Sequence, residues 1–514
     1  MASHVSRRSF LKSAAAGGTA LGLGELGFLC GLPPVSAADA APEHGRVRLR
    51  AEIEPLVTLI EDSSRDRLLE EIADRIHKGT TYQDILAALL LAGVCNVRPR
   101  PSVGFKFHAV LVVNSAHLAS LASPDHERWL PLFWALDNFK SAQAQNQKES
   151  GWRMPPLDEG KVPTARKARK AFVEAMDSWD EQAADAAVIG LARSAGSHEV
   201  FELFCRYGAR DFRDIGHKAI FVANSWRTLQ TVGWQHAEPV LRSLAYALLK
   251  NDGTNPATAD LPPDRPGRKN KELADKFRPD WQAGGTNTEA GCCEATTELL
   301  SVLRQANAAD AAAKFTEAVN GGASPQTIWD ALFLGAGELL LRQPGIVALH
   351  AVTSTNALHY AYQASADDVT RRWLILQNAS FVTLFRDALG SRGKVGDAKI
   401  DALTPLEPEK SGADAVAELF AEVSKDRLTA ARKTLGYVAA KGDPRALMDA
   451  ARLLVFFKGN DSHDYKFSSA HLEDIENVSP EWRDRFLAAG MMNFKGSGAK
   501  DIPLVQRARA ALNG

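Results

Sequence analysis

The chain repeats itself, and that restricts its fold more than any single motif does. The segment FHAVLVVNSAHLASLASPDHERW at 107–129 aligns with LHAVTSTNALHYAYQASADD at 349–368 at a constant offset of 242 residues. His108 then falls on His350, Asn114 on Asn356, His117 on His359 and Asp125 on Asp367. A third copy at 216–249 sets Asn224 on Asn114 and His236 on His126 at an offset of 110, with His217 one residue early and Arg227 where the other copies carry His. A fourth, at 462–490, carries His463 and His471 eight residues apart, with Ser468 or Ser469 near the Asn position. Apolar residues recur at spacings of three and four, as in Ile85, Leu89 and Ala92 or Leu454 and Phe457. Alternating runs bounded by turns are scarce, so the class is all-α.

Upstream of each copy lies a shared helix–Gly–cap–helix signature. Gly79, Gly196, Gly322 and Gly442 are expected in the left-handed position that follows a helix. Thr80 or Thr81, Ser197, Ser324 and Asp443 are expected to accept from first-turn amides, and Pro325 and Pro444 suit the first helical position. Each unit therefore reads as about four helices, in modules at 65–142, 180–250, 308–390 and 425–514. A linker at 41–64, insertions at 143–179 and 251–307 and a second linker at 391–424 divide them. Repeated helices bury their apolar faces by stacking on neighbours, so the modules are expected to form a solenoid, a ring or a pseudo-symmetric bundle. Trp152, Arg153, Trp281 and Asn287 in the insertions point to an ordered lid.

Lys plus Arg number 61 against 62 Asp plus Glu, which excludes a global field for nucleic acid or an acidic membrane surface. At the N-terminus, Ser6-Arg7-Arg8-Ser9-Phe10-Leu11-Lys12 precedes an apolar run and then small residues. This resembles a twin-arginine export signal, occupying residues 1–40, with cleavage expected after Ala37 or Ala40. The resemblance implies export by the twin-arginine translocase to the periplasm or another extracytoplasmic space, of a chain already folded and often carrying a cofactor. No transmembrane domain is expected in the mature chain. Cys95, Cys205, Cys292 and Cys293 make neither a disulfide framework nor a C-x-x-C zinc pattern.

The repeated polar residues carry the chemistry. A spacing of nine sets His108 and His117 on opposite faces of one helix, so two His of one copy do not chelate a shared ion and a metal site has to combine modules. Either His117, Arg227, His359 and His471 meet, or His108, His217, His350 and His463 do. Imidazole sets suit iron, copper or zinc. His217 with Asp214 is a candidate oriented general base, and Arg227 a candidate carboxylate or phosphate ligand. The plainer account of the same pattern is four repeats of a packing contact, with Asn and His satisfied by buried hydrogen bonds between helices.

The helices FHAVLVVNSAHLA and ALHAVTSTNALHYAY resemble those of the questin oxidase-like proteins, an all-helical family associated with oxidative ring opening of aromatic substrates. The resemblance implies His108, His117, His350 and His359 as site residues. The expectation is a metal- or cofactor-dependent oxidoreductase with a His- and Arg-lined site between modules. The alternative is a non-catalytic scaffold that binds a small molecule, a polysaccharide or a protein.

Overall fold

A computed structural model of the chain describes residues 49–99, 105–249, 254–285 and 289–513. The export signal with Arg7 and Arg8, the cleavage positions Ala37 and Ala40, and Asn287 lie outside them. Among the described residues there are twenty-two α-helices and no β-strand, and the class is all-α. Sixteen helices fall into four runs of four. The first run is α1 (Leu68–His77), α2 (Tyr82–Asn96), α3 (Phe105–Leu121) and α4 (Leu130–Glu149). The second is α5 (Glu181–Ser194), α6 (Ser197–Gly208), α7 (His217–Val232) and α8 (Ala237–Leu248). The third is α9 (Ala308–Asn320), α10 (Pro325–Arg342), α11 (Ile346–Ala364) and α12 (Asp368–Leu389). The fourth is α13 (Arg427–Ala439), α14 (Pro444–Lys458), α15 (Ser462–Asp474) and α16 (Pro480–Gly490).

The helix starts follow the capping chemistry in part. Thr81 and Asp84 form a reciprocal capping box, Ser324 accepts from Thr327 N, and Asp443 from Arg445 N. Gly79 and Gly322 take positive φ as expected. At the other two joints the chain solves the problem differently: Gly196 is itself the N-cap of α6 with φ −65°, and Lys441 rather than Gly442 takes the left-handed position. A Cβ on Gly442 would instead meet the Tyr437 ring at 2.5 Å.

Helices α3, α7, α11 and α15 are enclosed on most sides; α3 and α11 are largely apolar, whereas α7 and α15 bury polar residues such as Lys218, Asn224, Lys466 and Asp474 among their apolar ones. They form the innermost layer, each packing on the next in a closed cycle: α3 on α7, α7 on α11, α11 on α15 and α15 back on α3. The fourth helix of every run packs on its own inner helix, and the first helix packs on the fourth. Neighbouring runs are joined by the second helix of one against the fourth of the next, as in α2 with α8, α10 with α16, and α14 with α4. At the remaining junction Arg206 of α6 reaches the α12 N-terminus, donating to Thr370 Oγ1 at 2.8 Å and to Asp367.

The segments read as linkers and insertions carry helices of their own: Glu54–Asp62, Ala165–Ser178, Arg265–Ala274, Glu289–Gln305 and Gly412–Val423. Each is short or polar on all but one face, and Ala165–Ser178 buries only Ala168, Phe172, Ala175 and Met176. That is why Pro- and charge-rich flanks dominate the sequence signal there. Asn270 ties the second insertion to α12 through Leu376 O, Gln377 and Ser380, and the buried Trp281 donates to Asp368 at 2.9 Å. In the first insertion Arg153 pairs with Glu61 at 2.7 Å and Trp152 stands edge-on to Tyr246.

Candidate metal centre

One histidine stands in the first turn or so of each inner helix: His108 is fourth in α3, His217 first in α7, His350 fifth in α11 and His463 second in α15. These four come together, each offering a nitrogen within 4.8 Å of the others. His217 Nε2 lies 3.0 Å from His108 Nε2 and 3.1 Å from His350 Nε2. Ring centroids are 4.4–5.1 Å apart around the cycle 108, 217, 350, 463, the same order in which the helices pack. His108, His217 and His350 are buried, and the His463 side chain is 20% exposed.

Strained backbone delivers His217. Asp214 and Ile215 hold φ of 58° and 47°, and Gly216 follows at 77°. Three successive left-handed residues, one of them β-branched, are costly and persist only where packing fixes them. A Cβ on Gly216 would lie 2.5 Å from Ser354 Oγ, so glycine is required there for the approach of α7 to α11 as well as for its φ. The turn aims the Asp214 carbonyl at the ring, and His217 Nδ1 donates to it at 2.6 Å. The carboxylate–imidazole pair expected of Asp214 and His217 is therefore replaced by a carbonyl–imidazole bond.

That bond and two like it fix the tautomers. A carbonyl only accepts, so His217 Nδ1 carries hydrogen; His350 Nδ1 does the same toward Ile346 O at 2.6 Å, and His463 Nδ1 bonds Asp461 Oδ1 at 2.6 Å. Burial drives the His217 pKa down to about 3 and the His350 pKa well below its ordinary value, with Lys466 adding to both. The His217 and His350 rings, held neutral by burial, turn Nε2 lone pairs toward one centre. Outward Nδ1–H bonds to carbonyl or carboxylate are the usual second support of metal-binding histidines. Asp461, bonded by His463, has its pKa lowered to about 2. Lys466, also on α15, is 2% exposed; burial lowers its pKa to about 7, and its Nζ stands 3.5 Å from His350 Nε2. Neither Lys466 nor Asp461 stands out by repetition. The signals for them were an Asp N-cap two residues before His463 and a lysine one turn after it on an otherwise inward face.

The other aligned positions lie elsewhere. His117 meets the Tyr82 hydroxyl at 3.2 Å and Thr231 at 3.4 Å. His359 is edge-on to Trp329 and Phe333, and His471 is enclosed by Phe467, Phe486 and Phe494. Burial lowers the pKa of His359 and of His471 to about 3. Arg227 lies over the Tyr360 ring at 4.0 Å and donates to Glu473 at 2.8 Å and Asn356 at 3.2 Å. Asn356 in turn donates to Glu473 and to the buried Asp474. Arg227 and Asn356 are each eleventh in their helices and Glu473 is twelfth, so the inner helices run parallel, with the histidine layer at their N-terminal ends. Lys218, beside His217, forms a buried pair with Asp211 at 2.8 and 2.9 Å.

In comparison with known proteins, residues 4–24 match the TAT (twin-arginine translocation) pathway signal sequence. No curated protein and no solved structure matches the chain, so the likeness to questin oxidase-like proteins finds no support there. The signal routes the chain through the twin-arginine translocase to the periplasm or extracytoplasmic space. No helix of the described residues is long and apolar enough to cross a membrane.

Proposed function

We propose that this is an exported metalloprotein in which His108, His217, His350 and His463 bind one transition-metal ion, and that its activity is oxidoreductase chemistry at that ion. The supporting observation is the set of fixed tautomers: Nε2 lone pairs face each other at 3.1 Å between His217 and His350 with both Nδ1 hydrogens committed outward. Lone pairs so placed repel unless a cation lies among them, and an ion bonded at about 2.0–2.1 Å is the natural occupant. Iron and copper both accept imidazole sets. Export of an already folded chain also suits an ion that is inserted first. Lying among the parallel helices at their joined N-terminal ends, the centre draws one ligand from each run and is incomplete in any one of them.

Metal analysis of protein recovered from the extracytoplasmic fraction, followed by reconstitution of metal-free protein, tests this. The expected result is about one equivalent of iron or copper per chain, lost in His217→Ala and His350→Ala and retained in His359→Ala. Zinc alone would replace the redox assignment with a structural one. Metal-free protein that takes up no ion would leave the non-catalytic scaffold as the better reading.

A further inference from the structure

The histidine centre has a charge problem that its own ligands do not solve. All four donors are imidazoles, which bring no negative charge as ligands, so a divalent ion there keeps its full charge. Asp461 sits behind His463 on the Nδ1 side and is engaged in that bond, and the carboxylate of Asp214, the residue whose carbonyl takes the His217 Nδ1 hydrogen, offsets only part of the burial and Lys466 effects that hold His217 neutral. Four helix first turns meet at the same place, adding the positive ends of four backbone dipoles.

Lys466 sharpens the difficulty. It is 2% exposed, and among the described residues the hydrogen bond it makes is the 3.5 Å contact with His350 Nε2. A metal ion takes that lone pair. Lys466 then keeps its donor hydrogens, charged or neutral, in a buried position with its acceptor removed, a costly state for a polar group. A negatively charged ligand on the metal answers both demands at once: it offsets the ion and accepts from the amine.

We propose, building on the metal-centre reading, that the centre binds a small inorganic anion on its metal and that Lys466 is the side chain that donates to it. The ligand class is a monoanion of a few atoms, since the site is enclosed by four packed helices and the partly exposed ring is that of His463 alone among the four. Lys466 is thus a ligand-positioning residue and not a metal ligand.

Azide is the probe. The purified exported protein, reconstituted with Cu(II), is titrated with sodium azide while the azide-to-copper charge-transfer band is followed. Wild type is expected to develop the band with saturation. Lys466→Met is expected to bind azide about tenfold or more weakly, while its Cu(II) affinity stays within about threefold. Lys466→Arg, which keeps a donor, restores much of the azide affinity and guards against a folding defect in the first variant. The inference is overturned if wild type binds one copper and shows no azide band, or if Lys466→Met binds azide as wild type does. Failure to bind copper at all overturns the metal centre itself and the anion site with it.

Discussion

Burial of neutral imidazole has a pH signature that can be read one residue at a time. His471 is fully enclosed, and burial lowers its folded-state pKa to about 3, whereas in an unfolded chain it titrates at about 6.5. Above the unfolded value both states are neutral and the stability contribution is fully present. As pH falls below it, the unfolded state takes up a proton that the folded state refuses, and stability is lost until pH reaches the folded value. For metal-free protein, His471→Leu is expected to reduce the slope of unfolding free energy between pH 6 and pH 4 by about 1.4 kcal/mol per pH unit. Urea unfolding at successive pH values measures it, and an unchanged slope would mean that His471 charges in the folded state. His359, His217 and His350 share the direction, so acid lability is a property of the whole set. That these positions carry nitrogen was legible from the repeat. Which of them would converge was not, because helical spacing separates the two histidine faces without saying which face turns inward.

Between elements, two features hold the inner helices in register. The strained turn before α7 is the first: Gly216→Ala puts a Cβ 2.5 Å from Ser354 Oγ at a φ of +77°. It is expected to cost about 2 kcal/mol or more and to weaken metal binding by displacing His217, as thermal unfolding and metal titration would show. The second is the layer of Arg227, Asn356 and Glu473. Arg227→Met is expected to destabilise by about 2 kcal/mol with metal affinity unchanged, because the layer lies further along the bundle than the histidines. Loss of metal binding in that variant would mean that the two layers act as one site. The helices themselves were legible from three- and four-residue periodicity and from caps such as Thr81 and Asp443. The turn at 213–216 was not: Asp214 beside His217 reads as a carboxylate partner, and only the left-handed backbone reveals that its carbonyl is used instead. The helices within the supposed linkers were hidden for a related reason, since one narrow apolar face gives little signal among prolines and charges.

At the scale of the whole molecule, the closed cycle of α3, α7, α11 and α15 turns a repeated sequence into a single centre. The repeat made a ring one of three expected arrangements; closure depends on packing between the first and last runs, which sequence periodicity does not contain. Export belongs to this scale too. Replacing Arg7 and Arg8 together by Lys is expected to hold the protein inside the cytoplasm, as cell fractionation would report, since the paired arginines are the recognised element of the signal. The most direct test of the central claim is X-ray absorption at the edge of the metal bound to the exported protein. Ligation by His108, His217, His350 and His463 predicts a first shell of nitrogen at about 2.0–2.1 Å with the scattering pattern of four imidazoles. A shell dominated by oxygen or sulfur, or one with fewer than three imidazoles, would contradict it.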